Sequence, residues 1–402
     1  MRDRETALST SVLVLGGGFA GLSAVRALSR AARGEMSVRL IDAREDSEFS
    51  PLYPDVISGT IQPASIRLPL GPFCGRYGAE FIHAAIRRID GRRGLVETER
   101  GDYTGDFLIC ALGCRTNFHG NRAMEERALQ LKSIDAALRI REAALGLLGT
   151  ARALGRTPHL LVVGGGYTGF ETASHLAVLL RRRAHVSPGE LVRLMVLERD
   201  EQVLRLVDPR ARDWAVRRVR NSGIEVHTRL TVEGYSDGDI VRLSDGREVG
   251  PALVIWAAGV MPVHPVEAME AAKVQAGRLK MDQFLRVAGH ERLFAAGDVA
   301  GFIPPGQSAP LRMSVQQSLS QGRMAAGNVL RAVRGRPPRA YRPFDPGYVV
   351  PLAQGIGAGE VLGRELHGRL PWCLHYLMSA YRSWGWANRM GVLRDVLTSG
   401  WR

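Results

Sequence analysis

A chain of 402 residues is too long for one ordinary hydrophobic core, so two or three domains are expected. Its 45% hydrophobic and 23% charged residues exclude disorder as the main state. The formal charge of +14, mostly arginine, suits nucleic acid, an anionic membrane surface or anionic cofactors, and equally a solvated basic face. The cysteines, Cys74, Cys110, Cys114 and Cys373, form neither a CxxC pair nor a metal pattern with histidine. No metal site is therefore expected, and a reducing compartment is the simplest inference.

At the N-terminus, Arg2 and Arg4 precede the apolar stretch Ser11–Val25, a superficial likeness to a signal peptide. Consecutive glycines interrupt that stretch and no small-residue cleavage site follows, so it reads as a strand, a tight turn and a helix. No run reaches the roughly 18 apolar residues that would span a bilayer. The chain then repeats itself. SVLVLGGGFAGLSAVRAL over Ser11–Leu28 returns as HLLVVGGGYTGFETASHL over His159–Leu176. Each copy is a β-branched run, then GGGxxG, then a small-residue helix, and each is followed by a further strand, Val38–Asp42 and Leu191–Glu198. The second connection, with Arg181–Arg183 and Pro188-Gly189, holds a longer loop. Further strands are expected at Asp106–Ala111, Ile224–His227, Ile240–Leu243, Ala252–Ala257 and Leu293–Ala295. A helix is expected over Met313–Val333, then a Pro-rich basic linker over Arg334–Arg339. The last region begins with a strand over Tyr348–Leu352 and ends in an aromatic, basic tail from Leu370.

Gly16, Gly18 and Gly21 meet three needs: a tight turn, close approach of backbone N–H groups to a pyrophosphate, and close packing of helix on strand. The helix N-terminus then faces the phosphates with its partial positive charge. Asp42, 21 residues beyond Gly21 at the end of the next strand, can accept from a ribose hydroxyl. The second set is Gly164, Gly166 and Gly169, with Glu198 as the strand-end acid. A carboxylate there repels a 2′-phosphate and favours NADH over NADPH, although Arg199 stands beside it. In Leu293–Ala300, the Gly297-Asp298 turn offers an acceptor for a ribityl hydroxyl.

GGGFAG, GGGYTG, VIWAAG over Val254–Gly259 and FAAGD over Phe294–Asp298 together resemble the pyridine-nucleotide–disulfide-reductase-like flavoproteins, over about residues 11–333. That resemblance implies two Rossmann-like dinucleotide-binding domains, the first loop binding FAD and the second NAD(P)H, with the NAD domain inserted in the FAD domain. It adds Phe19, Ala20, Pro51, Gly113 and Gly259 to the cofactor-binding residues. FSPLYPDVISG over Phe49–Gly59, DFLICALGCRTNF over Asp106–Phe118 and SVQQSLSQG over Ser314–Gly322 are similar to segments of type II NADH dehydrogenases. Those enzymes are peripheral membrane flavoproteins that pass two electrons from NADH to a quinone and pump no protons. Pro54, Phe170 and Ser320 depart from their pattern.

The expected partition is an FAD-binding domain over 1–118 and 259–334, an NAD(P)H-binding domain over 119–258, and a C-terminal membrane-association region over 335–402 ending in amphipathic helices. On a helix, Leu374, Leu377, Met378, Tyr381 and Trp384 share one face, and His375, Ser379, Arg382 and Ser383 the other, with Gly385 as a kink. Tryptophan with arginine on such a helix suits the cytoplasmic face of a membrane; packing on the chain's own core or a homodimer is the competing reading. Glu171 is the candidate at the flavin–nicotinamide contact, or else a first-turn acid stabilised by the helix dipole. Gln316 is the candidate at the flavin's quinone side. The competing functions are a sulfide:quinone reductase-like enzyme, a soluble reductase for a ferredoxin-type partner, and a redox-sensing FAD/NADH-binding module. Basic and aromatic residues do not interleave outside the tail, so no nucleic-acid partner is expected.

Overall fold

The computed structural model describes residues 10–31, 36–155, 157–185, 191–353 and 355–399. Arg2, Arg4, the Pro188-Gly189 pair and Trp401 lie outside the described residues. The chain divides into two compact units.

The first unit comprises residues 1–47, 68–115 and 260–345. Its centre is a parallel sheet with the strand order Leu293–Ala295, Phe107–Cys110, Thr10–Leu15, Met36–Asp42, Glu80–His83. Leu293–Ala295, Phe107–Cys110 and the last four residues of Thr10–Leu15 are short, apolar and buried on both faces, as a parallel sheet covered on both sides requires. Leu13, Leu15, Ile41, Leu108, Cys110 and Leu293 are buried together in one core. Two helices, Phe19–Ala31 and Val315–Val333, pack closely because their facing residues are small. A Cβ on Gly322 would stand 2.1 Å from the Ala20 carbonyl oxygen. The Ser23 hydroxyl donates to the Leu319 carbonyl at 2.7 Å, fixing the register of the pair.

The second unit comprises residues 48–67, 116–259 and 346–402. Its parallel sheet runs Leu129–Gln130, Ala252–Trp256, His159–Val163, Arg193–Leu197, Ile224–His227. The helix Tyr167–Ala184 follows the central strand, and Ile134–Leu154 and Tyr53–Ser58 pack with it. Ser133 caps Ile134–Leu154 by accepting from the Ala136 N–H at 3.0 Å. The last region forms an antiparallel sheet, Gly347–Leu352, Ile356–Val361 and Arg364–Gly368. It continues into two helices, Arg369–Arg382 and Trp386–Ser399. Gly385, at φ +84°, stands in the break between them, so the expected kink is a full interruption.

The tail is inverted relative to an ordinary surface helix. Tyr376, Ser379, Ala380 and Ser383 face inward and are buried, whereas Leu377, Tyr381 and Trp386 are 58%, 69% and 74% exposed. Leu370, Met390 and Leu397 are exposed as well. Asp395 anchors the inner side by accepting from the Gln62 N–H at 2.9 Å and the Ser65 hydroxyl at 2.6 Å.

Candidate functional site

The two glycine loops have the same geometry. Gly16 and Gly164 take φ of +103° and +112°, and a Cβ on either would lie 2.5 Å from the oxygen of Ala111 or Ala257. Only glycine fits there. A Cβ on Gly21 or Gly169 would lie 1.8 or 1.9 Å from the carbonyl oxygen of Gly16 or Gly164, so these glycines let each helix start against its own strand. A Cβ on Gly18 or Gly166 meets nothing within 4 Å. That open space is the third glycine requirement: room for a ligand against the backbone. No side chain caps the Tyr167–Ala184 helix, which leaves its N-terminus to an anion.

The strand-end acids are placed alike. Asp42 Oδ2 accepts from the Gly17 N–H at 2.6 Å, and Glu198 Oε2 from the Gly165 N–H at 2.7 Å. Their second oxygens accept from the backbone of Arg44 and Asp200 at 2.8 and 2.9 Å. Each carboxylate is thus fixed as an acceptor at the loop with lone pairs remaining for ribose hydroxyls. The residues fit dinucleotides at both loops: open space above a bare glycine, a helix N-terminus and a fixed carboxylate.

In the first unit the structure brings further predicted residues together. Phe19 and Ala20 form the first turn of the helix, and Ala20, Ala111 and Ala296 pack in one small cluster. Gly297, at φ +79°, would carry a Cβ 3.1 Å from that of Ala20. Asp298 follows on a short 3₁₀ turn, with the Cys114 thiol 3.5 Å from its Oδ2. Gly113, at φ +70°, makes the turn beside Cys114. Gln316 lies in the first turn of the Val315–Val333 helix, half-buried. Pro51, in the Ser50–Leu52 turn, and Gly259, at φ +122°, fall in the second unit.

Sequence reasoning missed Gln321. It is buried and its Oε1 accepts from the Gly297 N–H at 2.8 Å, which fixes the Gly297-Asp298 turn. Ser320 instead meets the Tyr341 hydroxyl at 2.7 Å, so Gln321, the neighbour, supplies the side-chain amide at this turn. The recurrence of glutamine, at Gln316, Gln317 and Gln321, was the available signal.

It also missed a buried polar cluster in the second unit. Asp55, His175 and Tyr376 are each at most 5% exposed. The Tyr376 hydroxyl donates to Asp55 Oδ1, His175 Nε2 lies 3.6 Å from the same oxygen, and His175 Nδ1 bonds the Ser58 hydroxyl at 2.8 Å. Burial pushes the Asp55 carboxyl up to about 7, against the Tyr376 donation. Burial pushes His175 down to about 3, with the charges of His375 and Arg182 adding to it. Glu171, one turn before His175, is held well above the usual carboxylate range by burial and then by Asp55. This carboxyl pair therefore favours the neutral form.

Cys110 is fully buried in its strand, where burial pushes the thiol up to about 12. Among the described residues no cluster of metal-ligating side chains occurs, and no helix is long and apolar enough to cross a membrane.

Residues 10–322 match the family described as pyridine nucleotide-disulphide oxidoreductase. The chain is 26% identical over 367 residues to a type II NADH:quinone oxidoreductase of Staphylococcus haemolyticus, covering 89% of this chain and 91% of that one. It is also similar in fold to NDH2 from Plasmodium falciparum in complex with NADH, with a TM-score of 0.86, 16% identity and 98% of each chain covered. The sulfide:quinone oxidoreductase of Aquifex aeolicus aligns with a TM-score of 0.78 at 17% identity, over 95% of this chain and 92% of that one.

Proposed function

This chain belongs to the pyridine nucleotide-disulphide oxidoreductase family, and we propose from that premise that it is an FAD-dependent NADH:quinone oxidoreductase that passes two electrons to a membrane quinone without moving protons across the membrane. The observation that carries this reading is the duplicated glycine cradle, each copy with its own strand-end carboxylate. When bound, FAD supplies the two-electron chemistry that links a nicotinamide to a quinone.

In this reading residues 1–118 and 259–334 hold FAD, and residues 119–258 hold NADH. Gly16, Gly18 and Gly21 admit the FAD pyrophosphate to the helix N-terminus, while Asp42 and Asp298 accept from its ribose and ribityl hydroxyls. Gly164, Gly166 and Gly169 do the same for NADH, and Glu198 excludes a 2′-phosphate by charge. Glu171, kept neutral by burial, holds a proton at the nicotinamide end. Gln316 faces the quinone side, and residues 335–402 form the membrane-association region. The sulfide-oxidising alternative needs reactive, separated thiols, and burial holds Cys110 as a thiol.

The outward apolar face of the tail docks the enzyme peripherally on the cytoplasmic membrane surface. Exposed apolar area contributes about 25 cal/mol per Å² on burial, and each nearby arginine on the order of 1 kcal/mol at an anionic surface. Removing the tail would also remove Tyr376 and Asp395 from the core, so the face itself is the better target. Leu377→Glu with Trp386→Glu should abolish binding to anionic liposomes and lower turnover of a long-chain quinone. NADH:ferricyanide activity and flavin content should stay. Indifference of the intact protein to anionic liposomes at low salt overturns the membrane reading, and a change of oligomeric state in the variant makes the face a dimer interface. NADH oxidation with a short-chain quinone, run against sulfide as the rival donor, tests the activity itself.

A further inference from the structure

The arginine excess has a focus in the first unit. After the Val315–Val333 helix the chain turns at Gly335, φ +62°, and runs back along it. Buried Asn328 pins the returning segment. Its Nδ2 donates to the Arg339 and Phe284 carbonyls, both at 2.9 Å, and its Oδ1 accepts from the Arg339 N–H at 2.8 Å. The Arg331 Nε donates to the Pro337 carbonyl at 2.5 Å, a second tie. Between helix and returning segment lies a cavity of about 470 Å³.

Arg323, Arg331, Arg334, Arg336, Arg339 and Arg342 line that cavity, with Met324, Leu330 and Tyr341 as its apolar side. Among the described residues lining it, none is an aspartate or glutamate. The opposite face of the same helix, with Ser318, Gln321 and Gly322, turns to the glycine-loop helix and the Gly297 turn. The cavity is therefore a place apart from the dinucleotide cradle of its own unit.

A helix C-terminus rewards cations in its last turn, which accounts for Arg331 and Arg334. It does not account for four more arginines, three of them delivered by the returning segment that Asn328 holds in place. Like charges gathered around one volume repel each other, and an anion in that volume reverses the sign of every one of those interactions. Guanidinium forks match phosphate oxygens two at a time. The volume falls in the roughly 300–1,000 Å³ range of small-molecule sites. We propose that this cavity binds a phosphate-bearing anion, a diphosphate or phosphoester group gripped by the arginines with its carbon part against Met324, Leu330 and Tyr341. Two sources share that chemistry: a soluble phosphate compound and the headgroup of an anionic phospholipid.

Inorganic pyrophosphate titrated calorimetrically into the FAD-loaded full chain at low salt should bind saturably, one per chain, in the presence of excess NAD⁺. Arg323→Gln with Arg339→Gln should weaken it at least about tenfold without changing flavin content, because two of the charged forks are lost. Arg323→Lys with Arg339→Lys should weaken it less, since charge remains and the fork does not. Vesicles of phosphatidylglycerol and of phosphatidylcholine separate the sources. Preferential phosphatidylglycerol binding that falls in the glutamine variant assigns the headgroup. Vesicle binding untouched by a variant that has lost pyrophosphate assigns a soluble phosphate compound. Displacement of pyrophosphate by NAD⁺, absence of saturation, or equal affinity in the glutamine variant would overturn the site.

Discussion

The two glycine cradles are near copies in backbone and differ in what surrounds them. In both glycine triplets the nearest obstacles lie at distances that agree to within 0.1 Å, and both strand-end acids accept from the same loop position. The first is completed by the Gly297-Asp298 turn, which Gln321 fixes. The second unit has instead a buried knot of Asp55, His175 and Tyr376 with the half-buried Glu171 beside it. The glycine cradle is thus a backbone device that duplicates intact, whereas the surroundings of each copy are built by side chains brought from distant parts of the chain.

The comparison breaks hardest at the glycines themselves. Gly21→Val sets a Cβ 1.8 Å from a backbone oxygen, so it should cost more than about 3 kcal/mol and yield little folded protein. Gly18→Val and Gly166→Val meet nothing within 4 Å and should fold. Gly18→Val should then be colourless. Gly166→Val should keep its flavin spectrum while KM for NADH rises about tenfold or more. A Gly18→Val protein with full flavin absorbance, or a Gly166→Val protein without it, reverses or refutes the assignment of the loops.

These contrasts track what the sequence displays. A glycine forced by backbone geometry is recognisable within six residues, so both cradles and their strands were legible, whereas the order of the cofactors came from the family resemblance. The tail's apolar face was legible from spacing alone, because Leu377, Met378 and Tyr381 fall three and four apart. Asp55, His175 and Tyr376 stand more than a hundred residues apart in sequence, and only the fold brings them together. Gln321 was hidden for another reason. Gln317 and Gln321, one turn apart, share the buried face of their helix, and only the fold shows that Gln317 accepts from the Tyr341 hydroxyl while Gln321 accepts from the Gly297 N–H.

The buried knot offers the next largest effect. Asp55 faces Tyr376, His175 and Glu171, with Arg182 acting on the same group of side chains. Its folded-state value lies above its unfolded one, so the folded chain holds the extra proton. That contribution is fully present below about pH 4 and is lost as pH rises to about 7, at about 1.4 kcal/mol per pH unit and about 4 kcal/mol in all. His175, depressed to about 3 by burial, acts oppositely and loses its contribution as pH falls below 6.5. Asp55→Asn keeps an acceptor for the Tyr376 hydroxyl and removes only the titration. Its stability relative to the wild type, from urea unfolding at pH 5 and pH 7.5, should therefore rise toward the higher pH. A constant difference between the two would mean that Asp55 ionises normally.

A smaller effect is expected at the acid of the second cradle. Glu198→Gln keeps the acceptor oxygen for the Gly165 N–H and removes the charge that repels a 2′-phosphate. The ratio of kcat/KM for NADPH to that for NADH should rise about tenfold, about 1.4 kcal/mol. No change would place the discrimination elsewhere, with Arg199 the nearest alternative.

The smallest effect is expected at the cysteines, and it tests the first cradle's surroundings against a thiol mechanism. Cys110 ends the Phe107–Cys110 strand just before Ala111, and Cys114 opens the Cys114–Thr116 strand with its thiol 3.5 Å from Asp298. Proximity to the proposed flavin turn therefore does not exclude them. Reactivity requires thiolate, and burial pushes both Cys74 and Cys110 up to about 12. Cys373 is exposed on the tail helix and belongs to the other unit. Replacing Cys74 and Cys110 by alanine and Cys114 and Cys373 by serine should keep NADH:quinone turnover within about threefold, at a stability cost near 1 kcal/mol for each buried site. Cys114→Ser alone is the sharper probe, because serine still donates to Asp298 while it can neither form a thiolate nor pair in a disulfide. A loss of more than about tenfold in kcat for that variant, folded and flavin-replete, would restore a thiol to the mechanism.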